Sequence, residues 1–185
     1  MLLTDLILAV IGEHGSGGCR GRTRLQKLVY FLRKPMGVQV IYQPHYYGPY
    51  SAEVAGAVQS LVAEGLVNEA SGPSSREGPF ERILYTYTLE CDGQALVAAW
   101  QSRMPHEAER LTNVYRELEL ASQGIDILAV ASKIHHIVSR GPVRRDELIA
   151  RAAGLGWDVD ESEKEKAVDF LMRHHLVKEV SEPSC

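Results

Sequence analysis

The stretch Thr23–Val67, TRLQKLVYFLRKPMGVQVIYQPHYYGPYSAEVAGAVQSLVAEGLV, decides the fold. Thr23 followed three residues later by Gln26 has the form of a capping box. Leu25, Leu28, Val29 and Leu32 then recur at i, i+3, i+4 and i+7, one apolar helical stripe facing a core. Pro35 stops that helix, because it lacks the N–H the next turn needs and drives its predecessor out of the helical region. Val38, Val40 and Tyr42 alternate in a short extended piece, Gly48-Pro49 makes a turn, and Ser51 caps a further helix. Val54, Val58, Leu61 and Val62 form its buried stripe, Gly65 closes it, and a strand opens at Leu66.

Working outward, Thr4 is expected to cap an earlier helix that buries Ile7, Leu8, Val10 and Ile11 and ends in the glycines from Gly12 to Gly18. Beyond Leu66, the loop SGPSSREGP separates the opening strand from a returning one, in which Ile83, Tyr85, Tyr87 and Leu89 alternate with Arg82, Leu84, Thr86 and Thr88. Helices followed by two strands and a Gly/Pro/Ser loop describe a winged helix-turn-helix.

Asp92 is placed to cap a helix through Trp100. Pro105 starts another with Leu111, Val114, Tyr115 and Leu118 on its apolar side, ending by Gly124. Helices follow over Ile125–Ser139, from Pro142 (Val143, Leu148, Ile149, Ala152) and over Asp160–His175 (Val168, Leu171, Met172), then a short strand over Leu176–Val180. AVQSLVAEGLVNEA from Ala57 echoes AVDFLMRHHLVKEV from Ala167, and ILAV occurs at Ile7 and Ile127. The shared element order weighs more than the apolar identities. The expected fold is α+β, mostly helical: tandem winged helix-turn-helix-like units, 1–91 and 125–185, joined by connecting helices over 92–124, the second unit with a short or absent wing.

Composition narrows the function classes. Of 185 residues, 45% are hydrophobic and 24% charged, as in a folded chain, and 20 Lys and Arg against 24 Asp and Glu give a net charge of -4. Bulk charge does not draw the molecule to nucleic acid, so any such contact needs a local patch. The apolar opening MLLTDLILAVIG is too short to span a bilayer and reads as a core helix. Cys19, Cys91 and Cys185 have no disulfide spacing and suit a reducing compartment, so a cytoplasmic location is expected. His135-His136 and His174-His175 are adjacent pairs, pointing about 100° apart on a helix, and make no metal face. Cys19 lacks a base and an oxyanion site, and GSGGCRGR lacks the phosphate-loop spacing, so neither a catalytic residue nor a cofactor is expected.

The residues RLQKLVYFL (Arg24, Leu25, Gln26, Lys27, Leu28, Tyr30, Phe31) and YYGPYS (Tyr46, Tyr47, Gly48, Pro49, Tyr50) resemble the YwgA-like group of prokaryotic proteins and, more distantly, the Panacea, or antitoxin-associated, domain. The resemblance covers the first half and extends to the second in outline. It implies a small non-enzymatic module of regulatory, toxin–antitoxin or mobile-element settings and hands over no catalytic residues.

Two functional expectations follow. Cys19–Lys34 carries six cations and no acid. Arg20, Arg22, Arg24, Lys27 and Lys34 would meet phosphates, with Arg24, Lys27 and Lys34 on the face opposite the buried stripe. Gln59 and Ser60 would face base edges from the helix in the reading position, and Arg76 and Arg82 would assist from the wing. That helix is otherwise small or acidic, so DNA contact in a transcription-regulatory role would be backbone-dominated. The alternative is a protein-interaction module, antitoxin-like or an adaptor, docking a partner through Tyr46, Tyr47, Tyr50, Gly56 and Ala57. Homodimerisation, if any, is expected through the helices from Asp92 to Ser122.

Overall fold

The structure, a computed structural model, describes residues 1–73, 83–139, 154–155, 157 and 161–177. The chain divides into two compact units, 1–41 with 51–121, and 42–50 with 122–185. The described part is mostly helical, with one small antiparallel sheet, an α+β arrangement.

In the first unit the order is α1 (Leu3–Gly12), β1 (Cys19–Arg20), α2 (Arg22–Leu32), α3 (Ala52–Ala63), β2 (Val67–Pro73), β3 (Ile83–Leu89), α4 (Cys91–Arg103) and α5 (Pro105–Glu117). The strands run β1-β3-β2, with Cys19 opposite Tyr87 and Val67 opposite Leu89. Helix, strand, two helices and a two-stranded ribbon in this order form a winged-helix arrangement. β1 is absent from the sequence expectation because two residues are too few to show alternation.

α1 is the centre of this unit. Leu6 to Ile11 are all buried, and the helix packs against α2, α3, α4 and β3. A run without a polar face is what a helix covered on every side requires. Its N-terminus lies two residues earlier than expected: Leu2 is the cap, and the Asp5 carboxylate accepts from the Leu2 N–H at 3.2 Å, so Thr4 sits inside the first turn. α3 is capped as expected, the Ser51 hydroxyl accepting from the Val54 N–H at 3.3 Å. It ends at Gly65, whose φ of 72° an L-side chain resists.

β3 carries its alternation unevenly. Tyr87 is buried at 1%, whereas Ile83, in the same alternating set, is 61% exposed at the far end of the ribbon. α4 begins one residue before Asp92 and sits tightly on the start of β2, because a Cβ at Gly93 would run into the Leu66 carbonyl. Leu111 and Tyr115 of α5, with Leu118 and Leu120 beyond it, are buried.

The second unit contains α6 (Ile125–Val138) and α7 (Glu161–Arg173), packed on one another. Leu128, Ala131, Ile134 and Ile137 are buried on α6, and Ala167, Phe170 and Leu171 on α7. The expected α7 stripe is thus rotated by one residue: Val168 is only half-buried and Met172 is 42% exposed, while Phe170 takes the inward position. The segment 42–50 belongs to this unit. Gln43 and Tyr50 bridge through two 2.9 Å hydrogen bonds, and the Trp157 indole N–H donates to the His45 carbonyl at 2.6 Å. The helix expected from Pro142 lies outside the described residues, as does most of the expected Leu176–Val180 strand.

Candidate functional site

The basic run and the helix after it are held together from inside. The Gln26 side chain donates to the Ser51 carbonyl at 2.9 Å and accepts from the Ser51 N–H at 3.1 Å, all of it buried. One amide thereby bonds both main-chain groups of the residue that caps α3: the N–H would otherwise be costly to bury, and the carbonyl accepts from the Ala55 N–H at 3.2 Å as well. Gln26 was expected to close a capping box with Thr23. Instead α2 starts at Arg22 with Gly21 as its cap and makes no side-chain cap bond.

The cations of α2 turn inward more than the stripe suggested. Leu25 to Leu32 are buried without interruption, and Lys27, expected opposite the stripe, is 2% exposed. The consecutive apolar run Leu28 to Leu32 is the signal that this helix is covered all round. Arg24 donates to the Leu120 and Ala121 carbonyls at 3.0 and 2.8 Å, just past the C-terminal end of α5, where a cation meets the negative end of a helix. Arg22 pairs with Glu69 at 3.2 Å, bonds the Tyr87 hydroxyl at 3.3 Å and lies 3.5 Å over the Tyr85 ring. Tyr87 in turn donates to Glu69 at 2.6 Å, and burial followed by this bond raises its pKa. Arg33 bonds the Tyr30 carbonyl and lies over the Tyr30 ring. Of the cations expected to meet phosphate, Arg20, Arg22 and Lys34 have exposed side chains, Arg22 while paired with Glu69. Arg76 and Arg82 lie outside the described residues.

Beside this frame lies a polar cluster that the sequence did not point to. His14 Nε2 lies 3.0 Å from the Tyr115 hydroxyl, and the Thr112 hydroxyl donates to Glu13 at 2.8 Å. Burial, and then the Arg24 charge, lower the His14 pKa. Cys19 is fully buried, and desolvation pushes its thiol up to about 12 against the opposing pull of Arg24. A thiol so placed is neutral at neutral pH and is a poor nucleophile. A cleft of about 390 Å³ between α1, α4 and α5 is lined by Glu13, Gln94, Trp100, Gln101 and Thr112. Among the described residues no three His, Cys, Asp or Glu side chains come together as a metal site, and no helix is long and apolar enough to cross a membrane.

The outward face of α3 is exposed at Ala52, Glu53, Gly56, Gln59, Ser60, Ala63 and Glu64, with Ala57 half-buried. Gln59 and Ser60 therefore face solvent side by side, without a cation on the same helix. In the second unit, Tyr46 and Tyr47 are 72% and 51% exposed and pack edge to face with ring centroids 4.9 Å apart. Their turn is closed by the Gly48 N–H donating to the His45 carbonyl at 2.8 Å, and that same carbonyl accepts from Trp157. Tyr50 is 37% exposed and its ring lies 5.2 Å from that of His45. These tyrosines present large apolar surface from a turn whose main chain is already fixed.

Among known proteins, the chain is similar to the uncharacterized protein YwgA of Bacillus subtilis, at 32% identity over 91 residues, 49% of this chain and 52% of that protein. The chain thus spans about half the length of the curated relative it matches, and the YwgA-like relation holds over that part. No protein-family model matches the chain.

Proposed function

We propose that this chain is a non-enzymatic protein-interaction module, antitoxin-like or an adaptor, that docks a protein partner through Tyr46 and Tyr47. The observation that carries this reading is the pair of exposed tyrosines on a pinned turn. Tyrosines supply contact area at a low cost in side-chain entropy, and a prefixed turn lowers the cost of docking further, which is the character of interface hot spots. The charge distribution favours this reading over a DNA-reading one. Most of the α2 cations are engaged within the first unit, and the α3 face carries Glu53 and Glu64 but no Lys or Arg.

The test is affinity capture of the tagged full chain from its native cells, in parallel with duplex-DNA binding at low salt. The expected result is a stoichiometric protein retained by the parent chain and reduced on the order of a hundredfold by Tyr46→Ala with Tyr47→Ala, as for truncation of two hot-spot aromatics. Duplex binding should be weak and indifferent to sequence. The reading is overturned if the tyrosine variant retains the same partners, or if the chain binds duplex tightly with a steep salt dependence that is lost on Arg20→Ala with Lys34→Ala. The latter outcome would reinstate a backbone-dominated DNA-binding regulator.

A further inference from the structure

α4 packs against α1, α5 and β3 and leaves much of its circumference in solvent. Gly93 and Trp100 are its buried residues, with Val97 half-buried between them. Asp92, Ala95, Leu96, Ala99 and Arg103 are all exposed, Leu96 at 46%. At about 100° per residue these five fall within an arc of roughly 100° beside the buried side, with Leu96 and Arg103 at the edge where they line a groove with Leu8 and Leu61. Asp92 and Arg103 are eleven positions apart, so they lie within about 20° of each other on the helix circumference and about 16 Å apart along its axis. Neither makes an ion pair with a described residue.

We propose that this face of α4 joins two copies of the chain, as an antiparallel α4–α4 pair about a two-fold axis. The pattern is self-complementary in the sense such an axis demands. Antiparallel pairing centred between Val97 and Ala98 sets Asp92 of each copy beside Arg103 of the other, twice. It also sets Leu96 of each copy against Ala99 of the other, a large side chain over a small one. The favourable placement of an acid in the first turn and a base in the last accounts for each charge singly. It does not account for the exposed apolar stripe between them. A helix of 13 residues is about 20 Å long, so the pair alone covers less than a standard interface, and a weak, concentration-dependent dimer follows. Exposed Met104, next to Arg103, adds apolar area at both ends.

The experiment is sedimentation of the full chain across a concentration series. The parent chain should self-associate. Asp92→Arg and Arg103→Asp should each weaken the dimer on the order of tenfold, because every substitution turns two attractions into two repulsions. Asp92→Arg combined with Arg103→Asp should restore association to within about threefold of the parent, since the swapped charges still pair across the axis. As a second readout, Leu96→Cys protein mixed with Ala99→Cys protein, both carrying Cys91→Ala and Cys185→Ala, should form a crosslinked heterodimer under mild oxidation, whereas each alone should not. The exposed positions keep folding out of question, and circular dichroism checks it. A chain that stays monomeric to about 1 mM, or a dimer that both single reversals leave intact, overturns the proposal.

Discussion

α2 and α3 are nearly equal in length, 11 and 12 residues, and adjoin in the same unit, yet they use their sequences in opposite ways. α2 carries half of the six cations of the basic run and is buried over eight consecutive residues, so its cations serve the fold: Arg24 on carbonyls beyond α5, Arg22 on Glu69 and Tyr87. α3 is buried at Val54, Val58 and Leu61 and leaves a small, neutral-to-acidic face in solvent. Charge counted along a segment therefore says little about where that charge points. The helix that looked ready for phosphate is a core helix, and the helix in the reading position has little to read with.

The largest expected effect tests this contrast at Lys27, which is 2% exposed. Lys27→Glu places a carboxylate in the buried position of a lysine and should cost about 3 kcal/mol or more, enough to leave much of the chain unfolded. The same charge change at Ser60 should stay within about 0.5 kcal/mol, as for surface positions generally. Urea unfolding of the two variants gives both numbers. Equal costs would erase the distinction between the helices.

Next is the bond that ties them. Gln26→Ala removes both hydrogen bonds to Ser51 and leaves its buried N–H unsatisfied, while the Ser51 carbonyl keeps the Ala55 N–H at 3.2 Å, for a loss of about 1–3 kcal/mol. Gln26→Glu keeps the acceptor for the Ser51 N–H but sets a carboxylate oxygen against the Ser51 carbonyl, and should not rescue it. A loss under about 0.5 kcal/mol in Gln26→Ala would mean that α3 is capped independently of α2.

How much of this was legible follows from what side chains reveal at each position. The stripe on α2, the Ser51 cap, the Gly65 stop and the returning strand Ile83–Leu89 are local patterns with fixed periods, and all are present. Lys27 was misplaced because a four-residue stripe predicts one covered face, whereas β1, α3, α5 and β3 surround α2 on several sides. That is long-range packing, which periodicity does not carry, although the unbroken run Leu28–Leu32 hinted at it. Gln26 was read locally because its partner lies 25 residues away. The tyrosines at 46, 47 and 50 were legible as candidates, and their exposure became visible only once Trp157 was seen to hold their turn.

A subtler test concerns the inward action of Arg24. Burial and the Arg24 charge both lower the His14 pKa from its ordinary value of 6.5, so the folded state binds that proton less readily than the unfolded chain. The contribution is fully present above the unfolded value and is lost as pH falls through and below it, toward the folded value. Stability should therefore decline on acidification, through the range in which His14 titrates in the unfolded chain. Arg24→Gln should shift the His14 titration upward in an NMR pH series, because it removes the second cause and leaves the first. An unchanged His14 titration would show that Arg24 acts only on the carbonyls past α5.

The smallest expected effect has the opposite sign and sits on α3. A Cβ at Gly56 would meet nothing within 4 Å, and the residue is exposed in the interior of the helix with an ordinary helical φ. Glycine there costs backbone entropy without serving a turn or a close contact within the chain. Gly56→Ala should raise stability by about 0.5–1 kcal/mol. Affinity for any captured partner should stay unchanged if docking runs through the tyrosine turn alone. If the methyl group stabilises the chain and weakens capture, the α3 face belongs to the docking surface and its glycine is kept for close approach. A gain in stability with capture intact makes α3 a scaffold helix whose outer face is inert, and leaves Tyr46 and Tyr47 as the anchor.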